Sequence, residues 1–380
     1  MINAAWLTLN AATAWIGPAR FHRLLGAFGR PDAVLGKSAA QLAASVPSLK
    51  LAQAEALLTF ATAFDGEAEL ALAQKMGVQI LRFDEAGYPA RLRAIPMPPP
   101  LLYVQGVLPS DSALTVAMVG TRKPTDYGLR QARELAQGLA KAGVCVVSGL
   151  AAGIDAASHQ ACLDAGGHTV AVQGRGLAGV YPASNKDLAQ RIVLSGGALV
   201  SQFSLQAPPQ QHHFPMRNSL ISGLSQGVVV VEGERDSGSL ITADRALDQN
   251  REVFAVPGPA DAPASQGPLD LIEHGARLVR HVDDILKELG LKVPPRGRRS
   301  RTVDSSLQAE LPLAATPMIE LPEGSDEAKV MAVLAQTRRA SLDEIALQAG
   351  LASQSLSVAV LQLELMGALR QKPGALVELV

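Results

Sequence analysis

The sequence predicts an α/β protein: a Rossmann-like, doubly wound parallel sheet with a small helical domain before it and a winged helix after it. Three observations carry that prediction. Six short runs, 114–119, 144–147, 169–172, 198–201, 228–231 and 253–256, are apolar on both faces and alternate with helical stretches such as 129–141 and 241–250. Strands buried on both faces, with helices between them, form a parallel sheet covered on both sides. Before them, residues 1–65 show only helical spacing, as in "FHRLLGAFG" and "SAAQLAAS", with a break at Gly17-Pro18. After them comes a helix over 327–336, a capping box at Ser341 and Glu344, and a helix to Ala349. A turn at Gly350, a helix over 353–366 and the hairpin-like "ALRQKPGALVELV" complete the order of a winged helix.

With 380 residues, 48% hydrophobic and 18% charged, the chain has enough apolar mass for one full α/β core and two smaller modules. The expected domains are 1–65 (helical), 66–290 (extended Rossmann-like), 291–325 (a disordered linker) and 326–380 (winged helix). In the connector "AIPMPPPLLYVQG", Pro96 and Pro98 to Pro100 exclude regular structure. The linker is first basic, through Arg296, Arg298, Arg299 and Arg301, then acidic and rich in proline. Two cysteines, Cys145 and Cys162, neither build a disulfide framework nor have metal-ligand spacing, which fits a reducing, cytoplasmic setting and no metal. The N-terminal stretch has no basic leader, and Asn3, Asn10 and Thr13 break it before it spans a bilayer, so neither signal peptide nor membrane partner is expected. A formal charge of −1 gives no global signal for nucleic acid, so a polyanion site has to come from local clustering.

In an open parallel sheet ligands bind beyond the carboxyl ends of the strands, so the loops there carry the functional information. Four stand out. "VGTRKPTDYG" sets Arg122 and Lys123 beside the tight turn at Gly120. "SGLAAGIDAASH" brings Gly149 and Gly153 to a helix N-terminus, where exposed amides suit phosphate, with Asp155 capping the helix or ordering the turn. "FPMRNSLISGLS" supplies a ring at Phe214 and donors at Arg217 and Asn218, and "SGSLITA" opens a helix at Gly238 and Ser239. The chain has no P-loop signature and no G-x-G-x-x-G, and the strand after the second loop ends in Gln173 rather than an acid for a ribose hydroxyl. No nucleotide cofactor is expected. Phosphate-friendly loops with cations and an aromatic ring suit a polyanion with stackable bases, which is single-stranded nucleic acid.

The same stretches, together with "YPASN" and "SGSLITADRAL...REVFAVPG", resemble the successive motifs of the DNA processing protein A family, also called DprA or Smf. The match runs in order from about 90 to 285, and the helical and winged-helix flanks are similar to that family's arrangement. The resemblance implies a SAM/helix-hairpin-helix-like N-terminal domain and an extended Rossmann fold. It further implies a homodimer that binds single-stranded DNA entering during natural transformation, protects it and helps load a RecA-type recombinase. Carried residue by residue, the family's DNA pocket falls on Gly120, Arg122, Ser148, Gly149, Phe214, Arg217 and Asn218. Thr121 stands where relatives commonly have serine, and "SQFSLQAPPQQHHFP" lacks a basic lip residue, for which His212 or His213 is the replacement to test. Lys123 and Ser239 join the candidate set from their place on the loops.

Three other readings compete. Ser148, Asp155 and His159 recapitulate the residue types of a hydrolytic triad, which requires base and nucleophile in contact. A nucleotide phosphoribohydrolase on the same fold would use Glu232, although "EGERDSGSLITA" lacks that enzyme type's P-G-G-x-G-T-x-x-E signature. A duplex-DNA regulator would rely on the winged helix, but its "SQSLSVAVLQLELMG" helix holds one acid, Glu364, and no cation, which points to protein interaction or packing instead.

Overall fold

The computed structural model describes residues 2–291, 321–322, 324–337, 339–372 and 376–379. They belong to two compact units, divided between Pro295 and Arg296. The first unit is built on a nine-stranded sheet whose strands, in chain order, are β1 (Val78–Arg82), β2 (Leu101–Gly106), β3 (Thr115–Val119), β4 (Cys145–Ser148), β5 (Thr169–Val172), β6 (Ala198–Ser201), β7 (Gly227–Val230), β8 (Glu252–Ala255) and β9 (Arg277–Leu278). All six expected strands are present, as β3 to β8. The spatial order is β1-β2-β6-β5-β4-β3-β7-β8-β9. From β6 to β9 every neighbouring pair is parallel, with Val119 opposite Val230 and Ala117 opposite Val147. The chain winds outward from β3 through β4, β5 and β6, then returns to β3's other side for β7 and β8. That reversal parts the loops after β3 and β7 and opens a crevice beyond their ends.

Alternate strand residues feed opposite layers, as a doubly wound sheet requires. Ala117, Val119, Val228 and Val230 pack with Leu220, Ile221 and Ala243, while Val116, Met118, Val229 and Val231 pack with Leu135, Leu139 and Cys162. Two expectations need correction. Prolines 96 to 100 exclude regular structure only as far as Pro100, because β2 begins at the next residue, where every amide is available to antiparallel partners β1 and β6. The helical segment also continues past 65: Asp65 caps a further helix, Gly66–Lys75, by accepting from Ala68 N at 2.9 Å. Gly66 packs so closely on the first helix, Ala4–Ile16, that a Cβ would lie 2.6 Å from the Ala4 carbonyl. Nor do these helices keep a core to themselves, since Trp6, Phe21, Leu24 and Leu57 share one cluster with Tyr103, Ala171 and Leu199 of the sheet. Among the described residues no single helix is long and apolar enough to cross a membrane.

The second unit has the expected winged-helix order. Helices Asp326–Thr337, Leu342–Ala349 and Ser353–Leu365 precede a hairpin of β11 (Leu369–Lys372) and β12 (Leu376–Leu379). A short strand the sequence did not suggest, β10 (Arg339–Ser341), pairs with β12. The capping box forms as expected: Ser341 Oγ accepts from Glu344 N at 3.3 Å and Glu344 Oε2 from Ser341 N at 2.8 Å. Gly350 ends that helix at φ 63°, a left-handed position that favours glycine. The expected linker, 291–325, lies for most of its length outside the described residues, its basic run included.

Candidate nucleic-acid interface

The crevice at the β3/β7 switch point encloses about 600 Å³. Gly120, Thr121, Arg122 and Lys123 border it after β3, and helix His213–Gly223 supplies Phe214, Arg217 and Asn218. Ser239 closes it at the start of helix Gly238–Asp248. Gly149 borders an adjoining pocket of about 170 Å³, shared with Arg122, Phe214, Arg217, Gly174 and Tyr181. Ser148 alone among the expected residues has no face on either. It is fully buried, and its hydroxyl donates to the Met118 carbonyl at 2.6 Å, tying the end of β4 to β3.

The glycine turn after β4 works differently from the amide cradle the sequence suggested. Asp155 Oδ2 accepts from the amides of Gly149 at 3.1 Å and Ala151 at 3.3 Å, so those donors are spent inside the protein. The anion-seeking group is instead Arg217, whose Nη1 lies 3.9 Å from the same carboxylate oxygen. Both side chains are buried. Burial pushes the Asp155 carboxyl up and pulls the Arg217 guanidinium down, each opposed by the other's charge, while Arg122 further disfavours the Arg217 cation. Gly149 is required here because a Cβ would lie 1.4 Å from Arg217 Nη1. Gly153, at φ 80°, meets the Thr121 carbonyl where a Cβ would stand and so clamps the two loops together.

Around this buried pair the exposed groups face solvent. Arg122 lies over the Phe214 ring, 5.3 Å from its centroid, and Phe214 is half-buried and belongs to none of the apolar cores. Asn218 donates to the Gly238 carbonyl at 3.1 Å, joining the third loop to the fourth, and Ser239 Oγ contacts Ser237 Oγ at 2.5 Å. The Thr121 amide donates to the Glu232 carbonyl at 2.8 Å.

The catalytic alternatives lose their geometry. Glu232 is buried, accepts from Thr125 N at 2.9 Å and Thr125 Oγ at 2.5 Å, and does not border the crevice. The triad residues do not assemble either: His159 Nδ1 pairs with Thr169 Oγ1 at 2.7 Å, and the Ser148 hydroxyl, which donates to the Met118 carbonyl at 2.6 Å, neighbours the Asp155 carboxylate rather than the imidazole. His212 and His213 do not replace the missing basic lip. Both border a separate groove of about 530 Å³ with Trp15, Phe60 and Phe64, and His213 stacks on Phe203 at 3.9 Å. Among the described residues no cluster has the make-up of a metal site. Tyr181, which also faces the 170 Å³ pocket, was missed as a site residue. The signal for it in the sequence is the aromatic residue of "YPASN".

These features define an open Rossmann-type α/β protein, joined to a winged helix, whose crevice at the topological switch point gathers Arg122, Lys123, Arg217 and an aromatic ring, with Glu234 and Asp236 also on its border. The model of the family described as DNA recombination-mediator protein A matches residues 79–290, and that of the DprA winged helix domain matches 314–375. The chain belongs to this DprA/Smf family. It is 38% identical to Protein Smf of Escherichia coli strain K12 over 334 residues, 87% of this chain and 85% of that one. It is 42% identical to DNA processing protein DprA of Bacillus subtilis over 221 residues, 58% and 74% of the two chains. The solved structure of DNA processing protein A from Streptococcus pneumoniae is similar at a TM-score of 0.64 and 31% identity, covering 77% of this chain and all of that one. A Helicobacter pylori DNA processing protein A structure, described for its single-stranded DNA binding mode, is similar at a TM-score of 0.50 and 28% identity over 56% of this chain and 95% of that one.

Proposed function

We propose that this protein binds single-stranded DNA in the switch-point crevice without turning over a nucleotide. The observation that carries the reading is the set of Arg122, Phe214 and Arg217 around one crevice: two cations for phosphates and one accessible ring for a base. Gly120, Thr121, Lys123, Gly149, Asn218 and Ser239 shape that site, and Ser148 supports it from behind. The family's description as a recombination mediator supports a further role: the protein protects incoming single strands during natural transformation and delivers them to a RecA-type recombinase. It acts as a homodimer in the cytoplasm.

A salt titration tests the DNA reading. Labelled single-stranded and duplex oligonucleotides are titrated at several salt concentrations against the parent and Arg122→Ala. The expected result is tighter binding of the single strand, with the slope of log affinity against log salt flattened by about 0.7 in the variant. Preference for the duplex, or an unchanged slope, refutes it. ATP or nucleoside monophosphate hydrolysis lost in Glu232→Gln would replace it with the enzyme reading.

A further inference from the structure

The crevice leaves the "YPASN" stretch, 181–185, without a role. Asn185 accounts for part of it: Nδ2 donates to the Leu150 carbonyl at 2.9 Å and the Ala151 carbonyl at 3.3 Å, fastening this loop to the glycine turn after β4. With the loop held, Tyr181 stays 43% exposed, and its ring centroid lies 5.8 Å from that of Phe214. The Arg122 guanidinium packs on that same Phe214 ring, so three planar groups succeed one another out of the crevice. The pocket of about 170 Å³ that Tyr181 and Phe214 share is on the scale of one heterocyclic base.

Beyond Tyr181 the loop divides this pocket from a second groove, of about 660 Å³, beside helix Lys186–Leu194. Arg175 and Lys186 border that groove over apolar Leu177, Val193 and Leu194, and no carboxylate among the described residues borders it. The crevice's opposite end differs. There Glu234 and Asp236 are exposed, and the neighbouring Arg235 is paired with Asp270 at 2.9 Å. A polyanion leaving Arg217 is therefore repelled toward β7 and attracted past Tyr181. We propose that the bound single strand runs from the crevice over Tyr181, which stacks on a base, into this second groove, where Arg175 and Lys186 hold the phosphates that follow. Cations over an apolar floor suit a single strand, and one loop, 179–186, lies between pocket and groove, with Tyr181 and Pro182 on the pocket and Val180, Ala183 and Lys186 on the groove. The inference rests on the single-stranded DNA reading.

The test uses the full-length chain and labelled oligothymidylates of about 5 and about 20 nucleotides, short and long relative to typical single-strand sites. Tyr181→Ala is expected to weaken the long oligonucleotide about tenfold, and Tyr181→Trp to restore it. Lys186→Ala is expected to flatten the salt slope by about 0.7 for the long oligonucleotide and to leave the short one unchanged. Parent-like binding by both Tyr181→Ala and Lys186→Ala, with Arg122→Ala still impaired, overturns the extended path and leaves the crevice reading standing. If Arg122→Ala also binds like the parent, the crevice reading falls first. Should Tyr181→Ala melt early, the exposed Lys186 decides by itself.

Discussion

The protein has two regions whose architecture is used elsewhere to hold nucleic acid, and they are built from opposite materials. At the sheet's switch point, a buried ion pair of Arg217 and Asp155 is ringed by exposed Arg122 and Lys123. The third helix of the winged helix, Ser353–Leu365, carries no cation. It exposes Val358, Leu361 and Leu365, spaced three and four residues apart on one face, with Leu347 of the preceding helix 85% exposed. Its one acid, Glu364, accepts from the Gln371 amide at 3.1 Å and Nε2 at 2.9 Å and so serves the hairpin. A groove-reading helix brings cations to phosphates, and an apolar stripe brings none. The difference teaches that the motif sets which surface is offered, while side-chain charge sets what it attracts.

The largest expected effect breaks the buried pair. Asp155→Ala leaves Arg217 buried without its counter-charge and is expected to cost about 3–5 kcal/mol of stability by denaturant titration. Glu364→Ala, at a half-buried carboxylate of the other unit that accepts two hydrogen bonds from Gln371, should cost only about 1 kcal/mol. Equal effects would mean the Arg217 pair is solvated after all.

Acid should separate the two units next. Burial, aided by the Arg217 charge, pushes the His159 imidazole down to about 3. The unfolded chain takes up that proton near pH 6.5, so stability present above that value declines as pH falls toward 3, by up to about 1.4 kcal/mol per pH unit. Residues 321–380 contain no histidine, and Glu344, held below the usual carboxylate range by the Ser341 amide and hydroxyl, loses its contribution only at lower pH. Both tryptophans, Trp6 and Trp15, lie in the first unit, so fluorescence melts at pH 7 and pH 5 report on it alone. His159→Asn should flatten the difference, and a pH dependence that survives the change assigns it elsewhere.

Phe214→Ala is expected to weaken single-stranded DNA by about 1–3 kcal/mol with the salt slope nearly unchanged. A lowered melting temperature with intact binding would return the ring to a packing role. The smallest effect is on the winged helix: removing 300–380 should leave oligonucleotide affinity within a few-fold of the parent, and near-complete loss would move the site there.

Much of this was legible from residue order. Strands β3 to β8 announce themselves because a strand covered on both faces is apolar along nearly its whole length, the few hydroxyls such as Thr115 and Thr169 being hydrogen-bonded internally. Arg122, Phe214 and Arg217 were legible because a loop at a strand end in a parallel sheet opens on the same side as every other such loop. The edges were not. β1 has mixed polarity, β9 is two residues long, and β2 begins directly after three prolines, so their pairing depends on partners distant in sequence. The 65/66 boundary misplaced a helix for a related reason, since Gly66–Lys75 is held by its contact with Ala4 and by a core shared with the sheet.

By itself, then, the sequence determined the strands, the layers and which loops open on one side of the sheet, because these follow from local apolar patterning, whereas the strand order that sets the switch point came from the tertiary structure. Only the tertiary structure decided which way each polar group faces. Ser148 turns to Met118, His213 to Phe203 and Glu232 to Thr125. Each of those orientations is set by a hydrogen bond or a stacked ring whose second member comes from another turn of the chain, and no spacing along one segment encodes it.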